Sequence, residues 1–581
     1  MNTTVDALIR ATETDDQAAL AALREQSLAD PDTFWQELAA LLSFDQPFDT
    51  VSTPGDGARR WFVGGTVNYH ETLFGAHKDP DAELLVIYEA DGRRVAYTRT
   101  QLRAAVESVG AFLIDQGVVA GSVVALCVEN RHLAALYSLA CLGIGARFGF
   151  IYFRFPNETV ADQVALINAD TFIYEHAVRE QDAAPDLSAV ASLARVLTVD
   201  GATVPTPATA VTTPALLPEV AYDSKSFRAH AHDAEAPAYY FFTSGTTATP
   251  KAVPAGTAGM SLAAIADYYQ LQHAEGAVNF FSLDFAWGSP LAMLFLSPLM
   301  VGTRVVLDRR FFKPGLPHTF EVFAAEGVTV TAIPNVMFEK ELPTDRQYHL
   351  RRLVMGGMSL SERALKNSRT ILDPSELSIH FGYGSSEVGG ITFVGRGAPD
   401  CSLEAITTLH PICGVAYTTF PNDAGCDVLC VANNFPGICA SIIGDADGYR
   451  SLFREDDQWF CTHDVVSDLG DAIRLEGRAD AMVKVKGRFL DATALSDVIY
   501  NTLGCASTLL DIPTADGVQQ LILFLETEPE PALEDRVRAV VTEHFGAYAQ
   551  PAQVIALPEF PRTAAGKIRT GALREQVSTV G

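Results

Sequence analysis

A chain of 581 residues is long enough to fold into more than one domain, each with its own hydrophobic core. It carries 71 acidic and 42 basic residues, a formal net charge of −29, which argues against a nucleic-acid partner or an anionic membrane surface. Nine cysteines without a CxxC pair favour reduced thiols over a disulfide framework. The first residues lack the basic and apolar segments of a secretory signal, and no apolar stretch reaches membrane-spanning length, so we expect a cytoplasmic protein.

Apolar, β-branched segments alternate with helical patterns along most of the chain. Residues 123–130 predict a strand, residues 131–146 a helix and residues 171–176 a second strand, and later segments repeat this order. Such alternation is typical of α/β domains with parallel sheets. The Pro- and Thr-rich residues 201–220 are predicted to form a surface connection and not a core element.

Residues 239–253, YYFFTSGTTATPKAV, combine an aromatic strand with a run of small and hydroxylated residues and then a lysine. Backbone N–H groups and hydroxyls in a tight turn bind phosphate oxygens well, and a lysine after the turn adds positive charge. Taken alone, a run of Ser, Thr and Gly is more often a plain solvent loop. The candidate phosphate ligands are Thr243, Ser244, Gly245, Thr246, Thr247 and Lys251.

Three later segments strengthen the phosphate interpretation. They are FGYGSSEVGG at 381–390, THDVVSDLGDAIRLEGR at 462–478 and PRTAAGK at 561–567. In this order and at these separations they resemble the acyl-adenylating superfamily, which includes acyl-CoA synthetases, firefly luciferase and the adenylation domains of peptide synthetases. The resemblance covers nearly the whole chain, because residues 34–77 look like the amino-terminal segment of acetyl- and propionyl-CoA synthetases.

The resemblance implies an α/β fold with a large N-terminal adenylate-forming domain of packed α/β subdomains and a small, mobile C-terminal α+β lid domain. We place the large domain at 1–479, including an acetyl-CoA-synthetase-like segment at 1–80, and the lid at 480–581. The implied enzyme converts a carboxylic acid and ATP into an acyl-adenylate and then transfers the acyl group to coenzyme A. It would use ATP or AMP, Mg²⁺ and coenzyme A, with no nucleic-acid or membrane partner.

The resemblance also implies roles for single residues. Glu387 would hold magnesium with Ser386 beside it as a phosphate donor, and Lys567 would reach the reacting carboxylate from the lid. The other nucleotide-binding residues would be Gly356, Gly357, Tyr383, Gly384, Ser385, Asp464 and Arg478. The acyl pocket would be lined by Asp284, Trp287, Gly288 and Gly384, and the hinge and coenzyme A side by Asp480, Gly487 and Arg488.

Each of these residues has an ordinary alternative when it is considered alone. Glu387 could be a helix-capping acid, Asp464 with Arg478 a surface ion pair, and Trp287 a core filler. His230 and His232 alternate in a polar segment and are expected to be solvated, not metal-binding.

The departures from the family pattern carry further information. Ala248 and Ala252 stand where family members have glycine, and a positive φ there would cost roughly 1–2 kcal/mol each. Phe489 stands where the lid pattern has arginine, so we expect the adenylation half-reaction to be impaired or lost. Gly384 replaces the tryptophan that walls off the acyl pocket in acetate-specific members, which favours an acid larger than propionate.

Our leading interpretation is an acyl-CoA ligase that acts through an acyl-adenylate. Four alternatives stay open at this point: a complete ATP-dependent ligase whose motif changes are silent, a ligase confined to the second half-reaction, a non-catalytic adenylate-binding homologue, and a luciferase-like oxidase or an adenylating domain that loads a carrier protein. The acetyl-CoA-synthetase-like amino terminus favours free coenzyme A over a carrier.

Overall fold

The computed structural model describes residues 3–14, 16–75, 79–129, 131–177, 179, 183–206, 208–212, 224–243, 250–271, 276–310, 316–333, 338, 350–356, 360, 362–369, 378–398, 400–422, 425–479, 482–485, 488–513, 519–561, 568 and 572–574. The chain divides into two compact units. Unit 1 comprises Met1–Tyr417 and Val431–Phe460, and unit 2 comprises Thr418–Cys430 and Cys461–Gly581. The predicted lid boundary after residue 479 lies inside unit 2 and stays a prediction.

The largest sheet of unit 1 has nine strands. In spatial order they are His410–Pro411, Gly390–Gly397, Ser378–Ser385, Arg352–Gly356, Val330–Ala332, Val278–Phe281, Arg304–Asp308, Glu83–Tyr88 and Arg94–Thr98. The inner strands pair in parallel, whereas the pairs towards both edges are antiparallel. Ligands of such sheets bind beyond the carboxyl ends of the parallel strands. The segments that follow Phe281 and Gly356 begin at those ends.

A second sheet of unit 1 has seven strands, in the order Thr209–Thr212, Arg195–Thr198, Thr171–Tyr174, Val123–Cys127, Arg147–Phe150, Tyr239–Thr243 and Lys251–Ala255. The predicted alternation is confirmed, because the helix Arg131–Gly143 follows the strand Val123–Cys127. Thr209–Thr212 are mostly exposed, as predicted for a surface segment, but they form an edge strand in parallel register with Arg195–Thr198 and not a plain connection. Its three β-branched residues suit an edge strand better than a loop.

The remaining strands of unit 1 form small sheets. They are Phe44–Gln46, Thr66–Val67 and His232–Asp233 in one sheet, Thr50–Gly55 with Gly57–Val63 in another, and Phe453–Arg454 against the start of Trp459–Asp468. The helices are Thr3–Glu13, Gln17–Ala29, Pro31–Leu38, Ala39–Leu41, Tyr69–Phe74, Arg99–Asp115, Arg131–Gly143, Asn157–Leu166, Ser224–Ser226, Ala258–Leu271, Gly288–Pro290, Leu291–Leu296, Ser297–Val301, Leu316–Glu326, Glu362–Ser368, Ser386–Val388, Leu403–Thr407 and Ala446–Arg450.

Two of these helices matter for the site. Ala258–Leu271 is buried at every position, which fits the small and apolar residues that make up most of its sequence, AGMSLAAIADYYQL. Leu291–Leu296 is a π-helix that continues directly from Gly288–Pro290, and its side chains are all buried. Within the helices of the described ranges, none combines the length and apolar character needed to cross a membrane.

Unit 2 is built from short sheets and two longer helices. Its strands are Tyr417–Pro421, Asp427–Ala432, Trp459–Asp468, Ile473–Arg478, Met482–Val485, Arg488–Asp491, Ala506–Pro513, Gln519–Glu526 and Gln553–Leu557, with helices Ala492–Leu503, Leu533–Phe545 and Ala547–Ala549. Leu495, Ile499, Leu523 and Val537 meet in its core and are fully buried. This α+β character agrees with the expected fold class.

Cys430 and Cys461 form a disulfide across a sequence separation of 31 residues. The other seven cysteines are free thiols. The cysteine spacing indicated reduced thiols throughout, so this pair was not anticipated. Each partner lies beside a crossing of the chain between the two units, at 430/431 and at 460/461.

Candidate active site

Two antiparallel strands frame the candidate phosphate loop. Tyr239–Thr243 and Lys251–Ala255 pair so that Thr243 lies opposite Lys251. The pairing places these two residues at the ends of the connection that the sequence marks for phosphate binding. Ser244, Gly245, Thr246 and Thr247 belong to that connection and lie outside the described residues, so their role stays a prediction.

The ammonium group of Lys251 donates to the carboxylate of Asp445. Asp445 also caps the helix Ala446–Arg450 by accepting a hydrogen bond from the N–H of Gly448 at 3.1 Å. The two side chains of the ion pair are only 20% and 30% exposed. Lys251 therefore has a carboxylate partner already, and a phosphate oxygen would have to compete with Asp445 for its charge.

Ala252 lies in the strand after the phosphate loop at one of the family's glycine positions. Its N–H donates to the carbonyl of Ile443 at 3.1 Å, and the N–H of Ile443 donates back at 2.8 Å. Ala252 is absent from the residues with positive φ, and its methyl group packs into a buried cluster that includes Val164 and Phe172. The strain that a positive φ would impose is therefore absent here. Ala248 lies outside the described residues.

Glu387 lies in the short helix Ser386–Val388, which follows the strand Ser378–Ser385. Its backbone carbonyl accepts a hydrogen bond from the N–H of Cys439 at 2.8 Å. Gly389, with φ 74°, ends the turn, and a Cβ there would lie only 2.6 Å from the carbonyl oxygen of Gly437. Only glycine combines this backbone conformation with so close an approach. The turn that presents Glu387 is thus fixed by its backbone.

The side chains of Ser385, Ser386 and Glu387 are all partly exposed. Burial raises the pKa of the Cys439 thiol, and the negative charge of nearby Glu387 raises it further. Among the described residues, no group of three His, Cys, Asp or Glu side chains could hold a metal ion. A single carboxylate still fits Mg²⁺ in a nucleotide site, because Mg²⁺ commonly takes one or two carboxylates and completes its shell with phosphate and water.

Tyr383 and Gly356 both lie on inner strands of the nine-stranded sheet. Tyr383 is 9% exposed, and its ring centroid lies 6.1 Å from that of Phe393 on the neighbouring strand. Gly356 lies opposite Gly382, where a Cβ would come within 2.6 Å of the Gly382 carbonyl oxygen. Gly356 is therefore required by the packing of the two strands. The nucleotide-binding roles of Tyr383 and Gly356 stay predictions, and Gly357 lies outside the described residues.

Gly384 does not open a cavity in the way that its missing side chain suggests. The strand has a register shift between Tyr383 and Gly384, which places Gly384 opposite Ile391. A Cβ at Gly384 would lie 1.7 Å from the carbonyl oxygen of Gly390. The space along that Cβ direction is therefore filled by backbone. A tryptophan at this position would require the strand to move.

Residues 284–288 follow the strand Val278–Phe281 at its carboxyl end. Asp284 accepts a hydrogen bond from the N–H of Ala286 at 2.9 Å, and burial raises the pKa of its carboxyl group although Arg131 opposes this effect. Trp287 is 61% exposed, which excludes the interpretation of this residue as a core filler. A Cβ at Gly288 would lie 2.6 Å from the ring of Phe241, next to the phosphate loop.

Asp464 and Arg478 lie opposite each other on antiparallel strands of unit 2. The N–H of Asp464 donates to the hydroxyl of Thr462 at 3.1 Å, and Arg478 is exposed. These two predicted nucleotide-binding residues are therefore neighbours within one unit. Arg488 lies in the strand Arg488–Asp491, opposite Val485. Asp480, Gly487 and Lys567 lie outside the described residues, and their roles stay predictions.

Sequence reasoning missed the segment 437–445, which supports two parts of the site. Cys439 holds the carbonyl of Glu387, while Ile443 pairs with Ala252 and Asp445 pairs with Lys251. Ile443 follows Cys439 by four positions, a span of at most about 14 Å. One short segment thus connects the Glu387 turn with the phosphate hairpin. No local motif marks it, because its contacts are made with residues far away in the sequence.

Comparison with known proteins identifies the family. The family described as AMP-binding enzyme matches residues 75–419, and the acetyl-coenzyme A synthetase N-terminus matches residues 20–72. The chain is 25% identical to an acetyl-coenzyme A synthetase of Penicillium chrysogenum over 608 residues, covering 96% of this chain and 88% of that protein. It is also 25% identical to one of Serratia proteamaculans over 599 residues, covering 95% and 90%.

Solved structures show the same fold. An acetoacetyl-CoA synthetase from Streptomyces lividans superposes with a TM-score of 0.77 at 18% identity, covering 98% of this chain and 93% of that one. An O-succinylbenzoate coenzyme A synthetase from Bacillus subtilis, in complex with ATP and magnesium, has a TM-score of 0.69 at 17% identity, covering 88% and 99%. The expected fold class and the resemblance to the acyl-CoA synthetase branch are confirmed.

Proposed function

The chain belongs to the AMP-binding enzyme family, and we propose that it is an acyl-CoA ligase that acts through an acyl-adenylate. The observation that carries the proposal is the set of contacts made by the segment 437–445. Cys439 bonds to the carbonyl of Glu387, while Ile443 and Asp445 bond to Ala252 and Lys251 of the phosphate hairpin. The turn that carries the proposed magnesium carboxylate and the strand that follows the proposed phosphate loop are thereby linked through one short segment. Such a pairing suits a site that must hold a triphosphate.

The chemistry explains why both parts are needed. A free carboxylate resists attack by a thiol, because it is negatively charged and has no usable leaving group. Attack of the acid on the α-phosphate of ATP gives acyl-AMP and releases pyrophosphate. The thiol of coenzyme A then displaces AMP and forms the thioester. Glu387 would hold Mg²⁺ on the phosphates, and the loop would neutralise their charge.

We propose that the acid is larger than propionate. Gly384 carries no aromatic side chain, but the backbone of Gly390 fills its Cβ direction, so the room for a larger acid would lie on the side of Trp287. Trp287 is largely exposed beside Gly288 and offers an apolar surface at the expected acyl side. The similar proteins are named for acetyl, acetoacetyl and O-succinylbenzoate coenzyme A thioesters, and these names span a wide range of acid sizes.

We further propose that adenylation is slow compared with thioester formation. The charge of Lys251 is shared with Asp445, and phenylalanine stands at position 489 where the lid pattern has arginine. Ala252 does not slow adenylation through backbone strain, because it lies in an ordinary strand without a positive φ. A complete ligase with silent motif changes is the second candidate, favoured by the lysine retained at position 567.

The experiment is mass-spectrometric product detection from a panel of carboxylic acids. Each acid is incubated with the protein, ATP, Mg²⁺ and coenzyme A, and acyl-adenylate, acyl-CoA and AMP are quantified. The proposal predicts acyl-CoA and AMP from at least one acid longer than propionate. Formation of adenylate without any thioester would favour a carrier-loading domain, and absence of both with every acid would favour a non-catalytic homologue.

A further inference from the structure

One buried carboxyl group is bonded to the strand residue that lies opposite Gly384, a candidate acyl-pocket residue, and has no part in the mechanism above. Asp267 lies on the fully buried helix Ala258–Leu271 and is 1% exposed. Its Oδ2 accepts a hydrogen bond from the N–H of Ile391 at 3.0 Å. Its Oδ1 is buried and has no hydrogen-bond partner among the residues that the structure describes. Buried polar atoms in native proteins nearly always have a partner, so such an atom calls for an explanation.

The surroundings of Asp267 connect it to the site. Gly390 has φ 153°, and a Cβ there would lie 2.6 Å from Oδ2 of Asp267 and 3.6 Å from Sδ of Met293. Gly390 follows Glu387 by three residues. Met293 belongs to the π-helix Leu291–Leu296, which continues from the segment that holds Trp287. Single π-helical turns occur frequently at functional sites. The helix Ala258–Leu271, the π-helix Leu291–Leu296 and the strand Gly390–Gly397 therefore meet at the Asp267 carboxyl group.

The protonation state decides what Asp267 can offer. Burial raises the pKa of its carboxyl group well above the usual range, although the N–H of Ile391 opposes this effect. A carboxyl group that is 1% exposed, with one N–H donor and no ion pair among the described residues, is more stable in its protonated form. Because Oδ2 accepts from Ile391, the proton lies on Oδ1, and the free atom is a hydrogen-bond donor. The hydrogen bond to the Ile391 strand uses only Oδ2 as an acceptor, so the proton on Oδ1 has no role in that contact.

We propose that Asp267 recognises the acyl chain of the substrate, its Oδ1 hydroxyl donating a hydrogen bond to an acceptor oxygen on that chain. The substrate class is then a carboxylic acid with a keto or hydroxyl oxygen away from the reacting carboxylate. This inference rests on the proposed function, because it assigns the substrate of the same site. A straight unsubstituted acid would leave the donor unsatisfied on binding, which costs affinity.

The test compares acids of equal chain length with and without the oxygen. Wild-type protein is expected to have a kcat/KM about 10- to 100-fold higher for the oxo or hydroxy acid than for the unsubstituted acid. Asp267→Asn keeps an acceptor for Ile391 and a donor for the ligand, so it should retain the preference. Asp267→Leu removes the donor and should abolish the preference through KM. Met293→Leu is the matched control and should leave it unchanged.

Binding of the same free acids can also be measured by calorimetry. On wild-type protein and Asp267→Asn this measurement requires neither turnover nor a folded Asp267→Leu variant. Tighter binding of the oxygenated acid to wild-type protein, and to Asp267→Asn, supports the inference. Equal binding of the paired acids, or an undiminished preference in Asp267→Leu, overturns it. Thioester formation without any oxygen preference would leave the ligase assignment standing and remove only the role of Asp267.

Discussion

Lys251 and Asp445, separated by 194 residues in the sequence, form an ion pair at the edge of the phosphate loop. The pair determines how much positive charge the loop can offer to a nucleotide. Asp445→Asn should retain the cap on the helix Ala446–Arg450, since asparagine caps as well as aspartate, while it releases the lysine. We expect a lower KM for ATP and several-fold faster pyrophosphate release.

The control for this change is Asp447→Asn, which removes an exposed carboxylate from the first turn of the same helix. It should leave pyrophosphate release unchanged. Lys251→Ala should slow the release in both backgrounds. If Asp445→Asn behaves like Asp447→Asn, the ion pair does not limit nucleotide binding.

Gly389→Ala should displace the turn that carries Glu387. A positive φ costs alanine about 1–2 kcal/mol, and the new methyl group would also meet the carbonyl oxygen of Gly437. Thermal unfolding and pyrophosphate release are the measurements, and both should decline. Gly121→Ala is the matched control, because Gly121 has φ 83° but open space around its Cβ position. Equal losses in the two variants would show that the contact with Gly437 is unimportant.

Sequence patterns predicted the parts of the molecule that depend on local chemistry. The aromatic strand that ends at Thr243 and the α/β alternation follow from residue type and periodicity. The close approach of Gly384 to Gly390 could not be predicted, because it depends on a register shift between two strands. The Asp445 partner of Lys251 also depends on tertiary packing and leaves no local signal.

Stability should fall with acidification because of His232, which was expected to be solvated. The structure buries this side chain, with Nε2 3.0 Å from the carbonyl of Leu142, and burial lowers the pKa of His232 to about 4. The unfolded chain takes up a proton near pH 6.5, whereas the folded chain resists until about pH 4. The free energy of unfolding should therefore decrease as the pH falls through this window, by up to about 3 kcal/mol.

His232→Gln retains a donor for Leu142 and does not titrate. Denaturant unfolding at a series of pH values should show a shallower decrease for this variant between pH 6.5 and pH 4. His230→Gln, at an exposed position two residues earlier, is the control and should resemble wild-type protein. Parallel pH profiles for His232→Gln and wild-type protein would contradict the assignment.

The disulfide between Cys430 and Cys461 should contribute to stability. Closing a loop over a separation of 31 residues restricts the unfolded chain, and the chain-entropy estimate is about 4 kcal/mol. Cys430→Ser, or treatment with a dithiol reductant, should lower the Tm measured by calorimetry. Cys505→Ser changes a free thiol and should not. A Tm that is insensitive to both treatments would mean that the two thiols are not bonded in solution.

The most direct test of the ligase assignment starts from a purified acyl-adenylate. Protein is mixed with the adenylate and coenzyme A in a single turnover, and acyl-CoA and AMP are followed by mass spectrometry beside a reaction started from acid, ATP and coenzyme A. The account predicts acyl-CoA from both reactions, faster from the adenylate, and Lys567→Ala should slow only the ATP-dependent reaction, by about 100-fold. If the adenylate and coenzyme A yield no acyl-CoA, the protein is not an acyl-CoA ligase.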